Sequence, residues 1–172
     1  MRAGGVAAFV GLGSNLDQPE RQVRQALLEL DGLAGSRLIG HSPLYGSSPV
    51  GPPGQPNYVN AVARLETSLD AHALLDALQA IEFSHGRVRG GERWGPRPLD
   101  LDLLLFAERV IRTPRLSVPH PGLGQREFVL YPLLEIAGPD LEIPGHGPLG
   151  PLAAACARGG LQRLAPSVRE PD

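Results

Sequence analysis

The sequence predicts a single domain that mixes helices and strands, and three observations support this. The chain has 172 residues, about the length of one domain. Hydrophobic residues make up 42% and charged residues 20%, which is enough apolar material for a core and too little charge for a disordered chain. Apolar residues recur with strand spacing in some segments and with helix spacing in others. We expect residues 1–165 to form the domain and residues 166–172 to be a frayed tail.

The first predicted elements are a strand, a loop and a helix. The apolar run from Val6 to Val10 predicts the strand, and Gly11 to Asn15 is expected to be a loop. Asp17 and Glu20 have the spacing of a capping box, so a helix should begin there and end before Gly32. Its core face is predicted from apolar residues at helical spacing, which are Val23, Ala26, Leu27 and Leu30.

Two strands separated by a long loop are predicted next. Arg37 to Tyr45 has the pattern of a strand. Gly46 to Pro56 contains four prolines and three glycines, so we expect an irregular loop. Apolar and other residues alternate from Tyr58 to Thr67, which predicts a second strand.

The second half begins with a predicted helix from Leu69 to Phe83, capped by Ser68 or Asp70. An irregular segment follows from His85 to Pro98. The remaining predictions are strands at residues 99–106 and about 110–116, and a short helix at residues 149–157.

The charge composition limits the possible partners. Sixteen basic and 18 acidic residues give a net charge of −2, which predicts no general attraction to nucleic acid or to a membrane. All the basic residues are Arg, so an anion site must use guanidinium groups, backbone N–H groups or metal. We expect no signal peptide and no membrane span. The single Cys156 excludes an internal disulfide and fits a cytoplasmic protein.

Asp100 and Asp102 are the first candidate functional residues. In a strand the two carboxylates point to the same face, about 6.6 Å apart along the backbone. Mg²⁺ prefers carboxylates together with substrate phosphates, so the pair fits a metal site. A solvated strand end, or salt bridges to nearby arginines, would also account for it.

Four arginines precede this pair, within eleven residues of a chain with almost no net charge. Guanidinium groups match phosphate oxygens, so polyphosphate bound with a divalent metal would account for both the arginines and the aspartates. A solvated run of charge is the alternative. The four residues are Arg87, Arg89, Arg93 and Arg97.

Other candidates are ambiguous when each is considered alone. Trp94, the only Trp, lies in a predicted loop, where it would stack on a flat ring or on a guanidinium. Asn60 shares a strand face with Tyr58 and would either read the edge of a heterocycle or be a structural amide. Taken alone, His120 between two prolines favours a structural or solvent-exposed role, and the glycine-rich residues 11–15 favour a structural role.

Four segments of the chain occur together in a characteristic order: Gly11–Asn15, Gln55–Ala61, Gly86–Asp102 and Val118–Pro121. The run of arginines, Trp94 and the Asp pair is the most specific part. Together the segments resemble the 6-hydroxymethyl-7,8-dihydropterin pyrophosphokinases of folate biosynthesis, over about Val6 to Pro144.

This resemblance implies transfer of the β,γ-diphosphate of ATP to the pterin hydroxymethyl oxygen, leaving AMP. By the same resemblance, Asp100 and Asp102 hold two Mg²⁺ ions, and Arg87 and Arg97 act on the transferred phosphates. The residues implied on the ATP side are Gln79, Glu82 as a supporting carboxylate, Arg89, Arg93, Leu103, Arg115, Ser117, His120 and Arg126. Those implied around the pterin are Ser47, Val50, Tyr58, Asn60, Trp94 and Phe128.

The implied fold is α+β, with a ferredoxin-like antiparallel sheet and helices on both faces in three layers. The implied partners are the two small substrates, with no nucleic acid and no membrane, and the chain is expected to be a monomer. Departures from the family pattern are Gly46–Ser48, Gly90, Pro98, Gly122 and Gly124. A non-catalytic ferredoxin-like ligand-binding domain and a metal-dependent phosphodiesterase are the alternative functions.

Overall fold

The computed structural model of the chain describes residues 5–16, 18–47, 57–86 and 98–164. Among these residues, no helix combines the length and the apolar character needed to cross a membrane. In chain order the elements are β1 (Val6–Ser14), α1 (Pro19–Asp31), β2 (Ser36–His41), β3 (Tyr45–Ser47), β4 (Tyr58–Thr67), α2 (Ala71–Ser84), β5 (Asp100–Phe106), β6 (Ile111–Arg112), β7 (Ser117–Val118), a 3₁₀ turn (Leu123–Gln125), α3 (Glu127–Ala137), β8 (Glu142–Ile143), β9 (Gly147–Pro148), α4 (Leu149–Ala154) and β10 (Gln162–Arg163).

The main sheet is antiparallel and has β1 and β4 at its centre. Its strand order is β10-β3-β4-β1-β5, and β2 also pairs with β4 beside β3. β1 is hydrogen-bonded to β4 on one side and to β5 on the other. Because β5 ends this order, the strand that carries Asp100 and Asp102 lies at an edge of the described sheet.

Helices cover both faces of the sheet. Val10, Leu65 and Leu101 belong to a core cluster with the apolar faces of α1 and α2. Residues of the opposite strand faces, such as Phe9 and Val62, belong to a second cluster with α3 and α4. The arrangement is therefore an α+β fold in which an antiparallel sheet lies between two helical layers.

Several predicted elements are confirmed. The four predicted core residues of α1 are all buried, and β4 has the predicted bounds. Helix α2 is capped by Asp70, whose carboxylate accepts a 2.8 Å hydrogen bond from the backbone N–H of Ala73. β5 begins within one residue of the predicted start.

The loop predicted at Gly11 to Asn15 is wrong for residues 11–14, because β1 continues through Ser14, and Asn15 alone of the five lies outside the strand. Gly11 and Gly13 pair with β4 and with β5, so hydrogen bonds on both sides keep this stretch extended. The N-cap of α1 is Gln18, in the left-handed region at φ 63° and without a side-chain cap, and Pro19 opens the helix. Asp17 of the predicted capping box lies outside the described residues.

The strand predicted from Arg37 to Tyr45 is two strands. The segment between them contains Pro43, which has no N–H for a sheet hydrogen bond. Ser42 maintains contact with β4, because its N–H donates to the Val62 carbonyl at 2.8 Å and its hydroxyl accepts from the Val62 N–H at 3.0 Å.

Other boundaries also differ from the predictions. Gly46 and Ser47, predicted as loop, end β3. The strand predicted at about residues 110–116 is instead the short hairpin of β6 and β7, and α4 ends at Ala154. The predicted loop residues 48–56, the predicted arginine segment 87–97 and the predicted tail 166–172 lie outside the described residues.

Candidate active site

Asp100, Gly13 and Asn60 form one row across three neighbouring strands. Gly13 of β1 lies opposite Asn60 of β4 and opposite Asp100 of β5. Gly11 lies in the same way opposite Asp102. Opposed residues in a sheet share a face, so the carboxylates and the amide lie on the same face as the two glycines. Because the glycines have no Cβ, the Asn60 amide and the Leu104 side chain lie close above the backbone of β1.

The two aspartates share the face that the strand period predicts. Leu101 and Leu103, which alternate with them, are buried in the core under α1 and α2, whereas Asp100 and Asp102 are half-buried. In the described part of the chain, no third His, Cys, Asp or Glu joins them in a metal-binding cluster. Two carboxylates on one strand face are a donor set that suits Mg²⁺ carried with phosphate.

Glu82 supports this strand from helix α2. Its side chain is only 7% exposed, and its Oε2 accepts a 2.7 Å hydrogen bond from the backbone N–H of Leu101. Leu101 lies between the two aspartates, so the buried carboxylate fixes the strand that carries them. Ser14 adds a second support, because its hydroxyl donates to the Pro98 carbonyl at 2.5 Å, two residues before Asp100.

His120 lies beside Asp102. Its Nε2 is 3.8 Å from Asp102 Oδ2, its Nδ1 accepts from the Gly122 N–H at 3.1 Å, and its backbone N–H donates to the Leu104 carbonyl at 3.0 Å. Burial lowers the pKa of His120, the charge of Arg126 lowers it further, and Asp100 opposes this shift. The imidazole is therefore held in place on the side of β5 that carries the two aspartates.

Arg126 occupies the space that Gly122 leaves. A Cβ at Gly122 would lie 2.4 Å from the Nε atom of Arg126, so a larger residue there would displace the guanidinium. The guanidinium also lies over the ring of Phe128, 5.8 Å from its centroid. This departure from the family pattern therefore makes room for an arginine next to His120.

Ser47 and Asn60 form the polar group at the other side of the row. The Ser47 hydroxyl donates to Asn60 Oδ1 at 2.6 Å, and the two residues are 4% and 5% exposed. This bond fixes the orientation of the amide, whose Nδ2 lies 3.1 Å from where a Cβ of Gly13 would be. Tyr58, half-buried, pairs with Ser47 on the adjoining strand.

A family comparison identifies the class of protein. Residues 9–138 match the family 7,8-dihydro-6-hydroxymethylpterin-pyrophosphokinase, abbreviated HPPK. The chain belongs to the HPPK family.

Curated relatives bear this out over most of their length. A 2-amino-4-hydroxy-6-hydroxymethyldihydropteridine pyrophosphokinase of Pseudomonas aeruginosa is 53% identical over 156 residues, which are 91% of this chain and 95% of the relative. The Haemophilus influenzae protein of the same name is 48% identical over 139 residues, 81% of this chain and 86% of the relative. The Bacillus subtilis protein is 43% identical over 129 residues, 75% and 77% of the two chains.

Solved structures show the same fold at low identity. The wild-type HPPK-DHPS of Plasmodium falciparum with pteroate superposes with a TM-score of 0.68 at 13% identity. The match covers 87% of this chain but only 42% of that longer chain. The similarity supports the HPPK fold for this protein.

Three of the residues predicted on the ATP side of this HPPK lie on or next to helix α2 and β7; they are Gln79, Arg115 and Ser117. Arg115 is exposed and contacts α2, with its Nη2 2.6 Å from Asp76 Oδ1 and 3.2 Å from Gln79 Oε1. Ser117 is exposed on β7, and it lines a groove of about 300 Å³ with His120, Pro121 and residues 144–146. Leu103 has its side chain in the core, on the face opposite the aspartates.

The structure thus brings together the Asp pair, His120, Arg126 and Phe128, and places Asn60 with Ser47 across β1. Six predicted site residues lie outside the described residues; they are Val50, Arg87, Arg89, Arg93, Trp94 and Arg97. Gly11 and Gly13, which lie opposite the two aspartates and, for Gly13, opposite Asn60, were not predicted as site residues. Their spacing of two, continuing the period of the preceding strand, was the available signal.

Proposed function

We propose that this HPPK transfers the β,γ-diphosphate of ATP to the hydroxymethyl oxygen of 6-hydroxymethyl-7,8-dihydropterin, producing AMP and the pterin diphosphate for folate biosynthesis. The observation that carries the proposal is the row of Asn60, Gly13 and Asp100. The backbones of Asn60 and Asp100 are two strand spacings apart, about 10 Å. A flat bicyclic ring held at Asn60 would extend its hydroxymethyl arm over Gly13 towards phosphates held at the carboxylates.

Asp100 and Asp102 are proposed to hold two Mg²⁺ ions together with the triphosphate. The donor set fits, since both carboxylates are half-buried on one open face and Mg²⁺ takes its remaining ligands from water and phosphate. Bound Mg²⁺ would neutralise the charge that develops on the phosphates. The protein's own contribution is to hold the two carboxylates in place, because Glu82 accepts a hydrogen bond from the backbone N–H of Leu101, which lies between them.

Arg87 and Arg97 are proposed to act on the transferred phosphates. This chain has no Lys, so guanidinium groups must supply the side-chain cations near the anion. The attacking group is the pterin hydroxyl, the bond that forms is from its oxygen to the β-phosphorus, and the bond that breaks joins that phosphorus to the oxygen that leaves with AMP.

The remaining predicted residues are assigned to the two substrates. We propose that the pterin stacks between Trp94 and Phe128. Asn60 and Ser47 would then lie at the edge of the ring, with Val50 and Tyr58 alongside it. On the ATP side the proposed contacts are Gln79, Arg89, Arg93, Leu103 through its backbone, Arg115, Ser117, His120 and Arg126. Glu82 is proposed to act as a positioning residue, since its carboxylate is bonded to β5.

The core is proposed to be ferredoxin-like. When β2 and β3, which both pair with β4, are counted as one interrupted edge strand, the order from β1 to β5 is strand–helix–strand–strand–helix–strand, with β4 and β1 central and β5 at one edge, and this supports that classification. A location in the cytoplasm remains the prediction from the single Cys, and the absence of nucleic-acid and membrane partners remains the prediction from the net charge. The monomer also stays a prediction.

The test is a coupled assay for AMP. Purified protein, ATP, Mg²⁺ and hydroxymethyldihydropterin should yield AMP and pterin diphosphate in equal amounts, and chelation of the metal with EDTA should stop the reaction. Binding of both ligands without any AMP would contradict the proposal and favour a non-catalytic binding domain.

A further inference from the structure

A buried tyrosine extends the row of polar residues beyond Asn60. Tyr45 of β3 lies opposite Asn60 of β4, so the row that runs from Asn60 to Asp100 continues through Tyr45 on the same face. Tyr45 is 5% exposed, and the proposed substrate contacts do not include it. Two residues later on the same strand, Ser47 is hydrogen-bonded to the Asn60 amide. A contact that fixes Tyr45 therefore also fixes the strand that orients Asn60.

The Tyr45 phenol donates a hydrogen bond to the carboxylate of Glu135 on helix α3. Burial, and then this bond, raise the pKa of Tyr45 to about 12, so the phenol keeps its proton and remains the donor at neutral pH. The second oxygen of Glu135, Oε2, lies 2.5 Å from Nη2 of Arg163. Arg163 belongs to β10, where it pairs with Tyr45. One carboxylate therefore joins α3, β3 and β10.

The two contacts of Glu135 differ in what they contribute. The Arg163 side chain is 57% exposed and that of Glu135 is 30% exposed, and an ion pair this open to water contributes little to stability. Tyr45 is buried, and a buried phenol requires an acceptor. A phenylalanine would fill nearly the same volume without that requirement. The distinctive effect of the hydroxyl is therefore directional, because its bond to Glu135 holds α3 and β3 at one relative position.

Helix α3 also carries the proposed stacking partner of the pterin. Phe128 lies seven residues before Glu135, so the two residues are on one side of the helix, about 10 Å apart along its axis. The helix packs against β3 and β4, the strands of Ser47 and Asn60. A flat ring can stack on Phe128 and meet the Asn60 amide at its edge only if the helix and the strands keep a fixed separation. Groups that bind one ligand together must be held to within about 0.5 Å of their working positions.

We propose that Glu135 is a positioning residue for the pterin. Through its bond with Tyr45 it fixes α3 on β3, and this sets the position of Phe128 relative to Asn60. The inference rests on the proposed function, and it deepens it by adding a residue that does not touch substrate and serves only one of the two substrates. The Asp pair lies at the other end of the row, on β5, so the effect belongs to KM for the pterin rather than to KM for ATP or to kcat.

The first experiment compares Glu135→Leu with Glu135→Gln in the AMP assay. Leu removes the acceptor, and we expect KM for hydroxymethyldihydropterin to rise about tenfold while KM for ATP and kcat change by less than about twofold. Gln keeps an oxygen that can accept from the phenol, so its pterin KM should stay within about threefold of the wild type. Glu142→Leu, which removes an exposed carboxylate on β8, is the matched control and should leave all three constants unchanged.

The second experiment separates the two contacts of Glu135. Tyr45→Phe removes only the hydroxyl, and it should raise the pterin KM about as much as Glu135→Leu does, even where Glu135→Leu fails to fold. In the Tyr45→Phe background, adding Glu135→Leu should raise the pterin KM by less than about twofold, because the contact is already absent. Arg163→Gln removes the exposed ion pair alone and should raise the pterin KM by less than about twofold.

Four results would overturn the inference. They are a wild-type pterin KM in both Glu135→Leu and Tyr45→Phe, equal impairment in the Gln and Leu variants, the full effect in Arg163→Gln, or an increase in KM for ATP as large as that for the pterin. A wild-type protein that forms no AMP would instead contradict the proposed function, so the two failures are distinguishable.

Discussion

Glu82 accepts a 2.7 Å hydrogen bond from the backbone N–H of Leu101, and this places a buried carboxylate against the strand segment between the two aspartates. β5 is an edge of the described sheet, so no further strand accepts the hydrogen bond of this N–H. The Glu82 side chain on α2 supplies the acceptor instead. The geometry of the proposed metal site therefore depends on a helix that does not itself reach the open face.

Two substitutions of Glu82 should distinguish the effect of its hydrogen bond to Leu101 from the effect of its negative charge. Glu82→Leu leaves the Leu101 N–H without its acceptor, so we expect a loss of about 1–3 kcal/mol in the free energy of unfolding together with a lower kcat. Glu82→Gln keeps an oxygen acceptor and should retain most of both. Urea unfolding and the AMP assay measure the two effects. Equal activity of the Leu variant and the wild type would show that β5 needs no such support.

Removing one of the aspartates should abolish turnover without unfolding the protein. In Asp102→Ala we expect activity to fall by several orders of magnitude, because bound metal supplies most of the charge neutralisation in phosphoryl transfer. The melting temperature should stay close to that of the wild type. Asp140→Ala, at an exposed turn, is the control for the loss of a carboxylate. Near-normal AMP formation by Asp102→Ala would contradict the two-metal proposal.

The proposed pterin site should be sensitive to a single methyl group. A Cβ at position 13 would lie 3.1 Å from the Nδ2 atom of Asn60, so Gly13→Ala must push the amide aside by a few tenths of an ångström. We expect KM for the pterin to rise about threefold to tenfold, the equivalent of one impaired hydrogen bond, with KM for ATP unchanged. Gly40→Ala, where a Cβ would meet no atom within 4 Å, is the control. An unchanged pterin KM would remove Asn60 from the proposed site.

The arginine segment should act on the transition state. Arg87→Ala and Arg97→Ala should each lower kcat far more than they weaken ATP binding, because their proposed interactions strengthen as the diphosphate transfers. Steady-state kinetics and equilibrium titration with a non-hydrolysable ATP analogue distinguish the two effects. A change confined to KM would make these arginines ground-state binders.

Tyr45 of β3 should make the free energy of unfolding decrease as the pH rises through the alkaline range. Burial, and then the hydrogen bond to the Glu135 carboxylate, raise the pKa of Tyr45 to about 12. The unfolded tyrosine titrates near 10, so folding favours the neutral phenol and the associated stability is complete below pH 10. This contribution is lost as the pH rises from about 10 to 12. The difference in unfolding free energy between wild type and Tyr45→Phe should therefore be constant up to pH 10 and then decrease. A difference that is flat to pH 12 would contradict the assignment.

Periodicity in the sequence determined the elements that bury one continuous face. The core residues of α1, the bounds of β4 and the shared face of Asp100 and Asp102 follow from repeats of 3.6 and of 2, which depend on neighbouring residues alone. The order of the motifs also determined the family, which the comparison over residues 9–138 confirmed.

Tertiary structure decided the features whose partners are distant in sequence. The sequence pattern from Gly11 to Ser14 predicts a loop, but pairing with β4 and β5 keeps this stretch extended. β10 exists because Gln162 and Arg163 pair with Gly46 and Tyr45. Two hydrogen bonds likewise join residues that are distant in sequence. Glu82 and Leu101 are 19 positions apart, and Glu29 and His85 are 56 positions apart. The local sequence pattern does not predict such contacts, because their hydrogen bonds form only once hydrophobic packing has brought the helices and strands together.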